Sequence, residues 1–185
     1  MGRLFLSRGA ATAVGMDEVP GQASHPAPPP RVLGWREHVA LPALGIARLR
    51  AKIDTGARSC ALHVDACWRF VEGGAPWVGF TVTPRRGGQA ALETRAAILD
   101  ERDVADSSGR RTRRIFIRTP LRIAGIQREV EINLADRCGM LFPMLVGRTA
   151  LQHGFVVDPS LSFTTRRPGP AARAAAAARE AAGGA

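Results

Sequence analysis

The sequence predicts an all-β domain, a barrel or a sandwich of many short strands with one short helix near its end. Three observations predict it. Apolar residues recur with a period of two in short segments, turn formers separate those segments at short intervals, and only Arg148 to His153 carries a helical pattern.

The elements follow in order. His38 to Leu41 and Ile46 to Ile53 read as two strands around the turn Pro42-Ala43-Leu44-Gly45. In the second, Ile46, Leu49, Ala51 and Ile53 are apolar while Arg48, Arg50 and Lys52 take alternate places, so one face meets a core and the other meets water. Trp77 to Thr83 is a further strand, closed by the turn signal Pro84 to Gly88. Leu92 to Leu99 and Arg113 to Leu121 form the arms of a long hairpin with Asp106-Ser107-Ser108-Gly109 at its tip. Leu121 to Ala124 and Glu129 to Leu134 flank Gly125 as another hairpin, with Val130 and Ile132 facing one way. Met144-Leu145-Val146 is a buried strand, and the helix after it stops at Gly154. Phe155-Val156-Val157 closes the domain before the turn Asp158-Pro159-Ser160.

The folded part is expected over residues 31–166. Residues 1–30 are rich in Gly, Ala, Ser and Pro and end in Pro26-Ala27-Pro28-Pro29-Pro30, which predicts a disordered extension. Residues 167–185 form an Ala- and Arg-rich tail, expected to be disordered or a frayed helix. The 185 residues suit one ordinary domain. The net charge of +10 is almost all arginine, because Lys52 is the only lysine. Such a charge suits an acidic partner, whether nucleic acid, an anionic protein tail or a membrane surface. Base composition of the genome accounts for an Arg-, Ala- and Gly-rich, Lys-poor chain more simply, and no recognition motif supports nucleic-acid binding. Cys60, Cys67 and Cys138 show no framework spacing and no C-x-x-C, so reduced thiols and no structural zinc knuckle are expected. Leu4-Phe5-Leu6 is too short for a signal core, and nothing approaches the roughly twenty apolar residues of a membrane span. A cytoplasmic location is the resulting expectation.

Chemistry concentrates in Ala51-Lys52-Ile53-Asp54-Thr55-Gly56-Ala57, where an acid ends an apolar strand and a hydroxyl and two small residues follow. Gly56 gives the turn its freedom and permits close approach, and Thr55 can hydrogen-bond to a second copy of the turn. Aspartic proteolysis needs two carboxylates that share one proton. One takes a proton from water while the other donates to the peptide carbonyl. A strand–turn junction of purely structural purpose uses the same tripeptide, so it does not identify a peptidase unaided.

A second segment, Phe142 to Leu151, is an apolar strand, Gly147, Arg148 and a short helix. Together with Asp54 to His63, Asp136-Arg137 and Val157 to Ser160, it resembles one bacterial family over roughly Gly34 to Phe163. These are the RimB-like, ATP-dependent zinc proteases, also described as retropepsin-like proteases associated with ATP-grasp glutamate ligases. The resemblance implies a retropepsin-like closed barrel. It also implies an aspartic endopeptidase in which Asp54, Thr55 and Gly56 are catalytic. Ala57, His63, Gly147 and Arg148 would support the site or its substrate. Gly147 would pack under the turn, and Arg148 would anchor the helix through a salt bridge or backbone carbonyls. With one Asp-Thr-Gly in the chain, it implies a homodimer. It implies a flap between about Leu92 and Leu121. Retroviral enzymes carry an acid where Arg58 stands, so the familiar salt bridge cannot form in the same way, and Cys60 replaces a small hydroxyl residue.

The zinc label finds no H-E-x-x-H, and His63-Val64-Asp65 offers two ligands where a protein site needs three or four. The ATP label finds no phosphate-binding loop. No metal or cofactor is therefore expected, and His63 reads as a structural or substrate-pocket histidine. Cys138 reads as a structural thiol, and Trp35, Trp68 and Trp77 as core or barrel-edge residues. Arg110 to Arg114 is the best anion-binding patch by sequence; it reads equally as solvated charge on the flap, and if functional it suits a glutamate-rich or glutamylated tail. The expected partners are thus a peptide or protein substrate, a second copy and an ATP-grasp glutamate ligase. The rival reading is a non-catalytic binding or regulatory module of a ligase system.

Overall fold

A computed structural model describes residues 29–84, 90–105, 109–136, 141–152 and 154–165. The two terminal segments, the hairpin tip at Asp106 to Ser108, Cys138 and His153 lie outside the described residues. The strands are β1 (Arg31–Gly34), β2 (Arg36–Leu41), β3 (Ile46–Asp54), β4 (Cys60–His63), β5 (Ala66–Glu72), β6 (Ala75–Val82), β7 (Leu92–Ala105), β8 (Arg111–Ile123), β9 (Ile126–Ala135), β10 (Met144–Gly147) and β11 (Phe155–Asp158). One short helix, α1 (Arg148–Leu151), follows β10.

Nine strands form one sheet in the order β2-β3-β10-β4-β9-β8-β7-β6-β5, and an extra pairing of β2 with β8 turns its first six strands into a ring. The all-β expectation holds, and of barrel and sandwich the ring-like sheet is the outcome. The inner face of the ring holds the core, with Leu41, Leu49, Leu62, Ile117, Leu121, Ile132 and Met144 nearly sealed from water. Each such side chain contributes roughly 1.5–3 kcal/mol by burial. From Arg48 onward β3 alternates as its sequence predicts: Leu49, Ala51 and Ile53 are buried, and Arg48, Arg50 and Lys52 are not.

Three strands were not legible as such. β1 pairs in parallel with β11 and β4 is sandwiched between β10 and β9, so both owe their form to distant partners. β5 is the edge of the large sheet, mostly exposed, and its apolar residues fall on both faces. Trp68 of β5 covers Gly79 of β6, where an added Cβ would meet the indole at 2.4 Å. The long hairpin also extends further than expected, to Ala105 and back from Arg111. Its distal part, Glu101 to Ala105 against Arg111 to Ile115, pairs only with itself, because β6 reaches along β7 only to Ala97 and β9 reaches along β8 only to Phe116. The helix is shorter than expected and ends at Leu151.

The segment after β11 is tied to the ring by one buried acid. Glu37 accepts from Gly34 N–H at 2.8 Å, from Thr164 N–H and Oγ1 at 2.9 and 2.5 Å, and from Thr165 Oγ1 at 3.1 Å. Burial pushes this carboxyl up, but the Thr164 hydroxyl and the backbone donors outweigh it and hold it below the ordinary carboxylate value. Gly34 is bare because the same segment crosses it, with Leu161 O only 2.4 Å from where a Cβ would stand.

Candidate active site

Asp54 is the last residue of β3, and its backbone partner in the parallel β3–β10 ladder is Gly147. Its side chain is half-buried. The chain then turns, and the Ala57 N–H is shared between the Asp54 carbonyl and Asp54 Oδ1, both at 3.2 Å. Thr55 and Gly56 are exposed. The freedom expected of Gly56 is not exercised within one chain. Its φ is not among the positive ones, and an added Cβ would make ordinary contact with Asp54 Oδ1 at 3.5 Å.

The Gly147-Arg148-Thr149 junction holds the turn from behind. Arg148 N–H donates to Ala57 O at 2.8 Å, and Arg148 Nη1 donates to Gly56 O at 3.0 Å. Thr149 donates to Arg58 O through its N–H at 3.2 Å and its hydroxyl at 2.8 Å. The extended Gly147 backbone precedes the helix, so the first free N–H groups of α1 find partners in the turn. Arg148 thus works through carbonyl groups, which removes the need for the acid that Arg58 replaces.

Behind the turn, buried Asn133 of β9 donates to Cys60 O at 2.6 Å and to Ser59 Oγ at 3.3 Å, and accepts from Arg114 Nη1 at 3.0 Å. Sequence reasoning passed over Asn133. A lone amide between Ile132 and Leu134 was the available signal, since a buried amide needs partners. Cys60 is buried, and burial raises its thiol to about 11 while a hydrogen bond from Gly147 N–H acts the other way.

His63 stands at the opposite end of β4, three residues or about 10 Å from Cys60. Its Nε2 lies 3.4 Å from Asp65 Oδ1, and Asp65 Oδ2 accepts from the Thr83 hydroxyl at 2.9 Å. Among the described residues no three His, Cys, Asp or Glu side chains are grouped to hold a metal ion. Asp54, Thr55, Gly56, Ala57, Gly147 and Arg148 therefore form one contiguous unit, and His63 belongs to a separate one.

The Arg110 to Arg114 patch is partly spent within the fold. Arg113 Nε donates to Glu101 at 3.2 Å, and Arg114 is turned to Thr112 and Asn133. The Arg113 and Arg69 hydrogen bonds hold Glu101 below the ordinary carboxylate value. Beside them an open cleft of about 590 Å³ is lined by Phe70, Trp77, Ile98 and Leu99, with Asp54 not among its walls. No described helix is long and apolar enough to cross a membrane.

Residues 32–168 match the RimB-like family, described as retropepsin-like aspartic endopeptidase RimB. Probable alpha-L-glutamate ligases from Shewanella pealeana and Shewanella halifaxensis are each 34% identical over 133 residues, covering 71% of this chain. One from Desulfotalea psychrophila is 33% identical over 132 residues. The chain spans less than a third of these relatives, 29%, 29% and 28% of their lengths. A Legionella pneumophila protein of unknown function has a crystal structure that superposes with a TM-score of 0.61 at 28% identity, covering 73% of this chain and 98% of that one. The ring-like sheet, the turn at Asp54 and this match over most of the length agree, and the chain belongs to the RimB-like family of retropepsin-like aspartic endopeptidases.

Proposed function

We propose that the protein is an aspartic endopeptidase whose carboxylate pair is Asp54 from each of two copies. The observation that carries the reading is the Asp54-Thr55-Gly56 turn held from behind by Gly147 and Arg148. Thr55 and Gly56 are exposed, and Gly56 has no internal reason to be bare, as befits a turn that a second copy approaches closely. In such a pair one Asp54 carboxylate takes a proton from water, the resulting oxygen attacks the peptide carbonyl, and the other carboxyl protonates the carbonyl oxygen; the C–N bond of the gem-diol then breaks as the first carboxyl gives its proton to the leaving nitrogen. Thr55 would brace the two turns across the twofold axis. The distal part of the β7–β8 hairpin serves as the flap. The favoured substrates are glutamate-rich or glutamylated protein tails, in keeping with relatives named as glutamate ligases and with the chain's excess of arginine.

The deciding experiment measures solution mass and compares wild type with Asp54→Asn for cleavage of acidic peptides between acid and neutral pH. A dimer that cuts, and an Asp54→Asn protein that does not, is the expected result. Equal cleavage by both sinks the mechanism, and activity lost to a chelator but kept by Asp54→Asn returns the zinc label.

A second reading has its own support. The relatives that carry this region are named as ligases and are more than three times its length. The domain would then bind or regulate a glutamate ligase without cutting peptides. A stable monomer that binds such a ligase and leaves peptides intact is its signature.

A further inference from the structure

Arg48, Arg50, Lys52 and Asp54 share one face of β3, because side chains two apart along a strand point the same way. Opposite them on β2, Arg36 pairs with Lys52 and His38 with Arg50. Four cations thus gather on one strip that ends at the carboxylate assigned above to catalysis. Unlike Arg113 and Arg102 on the hairpin, which pair with Glu101, Asp100 and Glu131, none of Arg36, Arg48, Arg50 and Lys52 forms an ion pair among the described residues. Like charges facing each other across a ladder destabilise it, so the fold gains nothing from Arg36 opposite Lys52.

Two of these cations are also held in place. The Arg36 guanidinium lies 4.6 Å from the Trp35 ring and 5.1 Å from Phe163. That of Arg50 lies 5.2 Å from Phe142 and 5.7 Å from Phe163. Phe163 stacks on His38 at 4.5 Å, so a single ring fixes three members of the strip. Nε of both Arg36 and Arg50 is buried without a hydrogen-bond partner. Those atoms are shielded from water, so a bound carboxylate would meet the terminal Nη groups instead. Guanidinium groups fixed on rings lose less freedom when they meet a carboxylate.

We propose that this strip is the subsite that selects an acidic peptide, with Lys52, Arg50 and Arg36 as its specificity-determining residues. The proposal rests on the peptidase reading of Asp54. An extended chain laid along β3 repeats its side chains every two residues, about 6.6–6.8 Å, the spacing of Arg48, Arg50 and Lys52. Alternate glutamates would meet successive cations while the scissile bond reaches Asp54.

The test uses Asp54→Asn protein and a fluorescent oligoglutamate peptide, read by anisotropy at several salt concentrations, so that binding needs no catalysis. Lys52→Gln and Arg50→Gln are each expected to weaken binding about fivefold, and to flatten its salt dependence. Arg95→Gln, on the far hairpin and paired with Glu72, is expected to leave it unchanged. Lys52 is exposed, so Lys52→Gln carries the test if Arg50→Gln fails to fold. No binding of oligoglutamate, equal affinity for oligoglutamine, or indifference to Lys52→Gln overturns the proposal. Tighter binding of oligothymidine through the same residues also overturns it, in favour of nucleic acid. Binding that depends on Lys52 in a protein whose wild type cuts nothing sinks the peptidase reading alone. Oligoglutamate cleavage indifferent to both substitutions sinks the subsite alone.

Discussion

Gly147 stands opposite Asp54 in the β3–β10 ladder, and a Cβ on it would lie 2.4 Å from the Ser59 carbonyl oxygen. The neighbour is backbone on three counts, with Ser59 C at 2.6 Å and Arg58 O at 2.8 Å, so no rotamer change relieves the clash. Gly147→Ala must move either the turn or the strand. Overpacking of this kind costs about 1–3 kcal/mol. Urea unfolding is expected to show that loss, and proteolysis to fall further than the stability change explains. A Gly147→Ala protein as stable and as active as wild type refutes the assigned packing.

Arg148→Lys tests the brace more gently. Lysine keeps the charge but lacks the planar fork that reaches Gly56 O. The backbone bond from Arg148 N–H to Ala57 O survives, so the helix stays docked. A stability loss of about 0.5–1.5 kcal/mol is expected, together with a fall in kcat of roughly tenfold from a less rigid turn. Unchanged kcat would show that the Gly56 carbonyl does not need this donor.

Why some of this was legible and some not follows from particular residues. β2, β3 and β10 announce themselves because their partners lie on either side of one core and their apolar pattern obeys that geometry. Asp54 and Gly147 were legible for a different reason: each ends its strand with a residue that packing alone does not select. β4 was hidden because Cys60-Ala61-Leu62 is short and neither alternates nor ends in turn formers, and its strand character comes from β9 and β10. Glu37 and Asn133 were hidden because their partners lie 127 and 73 residues away in sequence. The charge of the hairpin was only partly legible for the converse reason. Arg113 and Arg114 look like a solvated patch until Glu101 and Asn133 are found beside them.

Glu37 supplies a pH signature. Its folded-state carboxyl lies below its ordinary value of 4.5, so its contribution is present above that pH and is lost as pH falls through the folded value. Stability is expected to drop below about pH 4.5. In Glu37→Gln the amide turns a donor toward Thr164 or Thr165, and an unmet buried donor costs about 1–3 kcal/mol at neutral pH. Unfolding of the variant should show a correspondingly smaller loss on acidification. Parallel pH profiles for wild type and Glu37→Gln would count against the latch.

Cys60 and Cys67 separate by reactivity. The attacking species is the thiolate, and Cys60 is both buried and raised to about 11, whereas Cys67 is exposed on the edge strand. Iodoacetamide at neutral pH followed by peptide mapping should modify Cys67 readily and Cys60 only when the protein unfolds. Native-state labelling of Cys60 at the rate of Cys67 would mean that β4 opens beneath the Asp54 turn.

The proposed dimer predicts a contact. β1 and β11 form a two-stranded parallel sheet apart from the ring, and Val32 and Val156 face each other in its register. Both are about half exposed, at 48% and 50%. A pair of β-branched residues on a small sheet with two open edges is a natural place for a second copy to join. Val32→Asp would bring a charge into that contact and, across the ladder, onto Val156. If the twofold axis passes near this sheet, Val32→Asp should shift the protein to monomer in sedimentation and abolish proteolysis, because each monomer holds one Asp54. The ring core does not depend on either valine, so thermal unfolding of the variant should remain cooperative. A Val32→Asp protein that stays dimeric and active puts the contact elsewhere. One that becomes monomeric yet still cuts removes the need for a second Asp54 altogether.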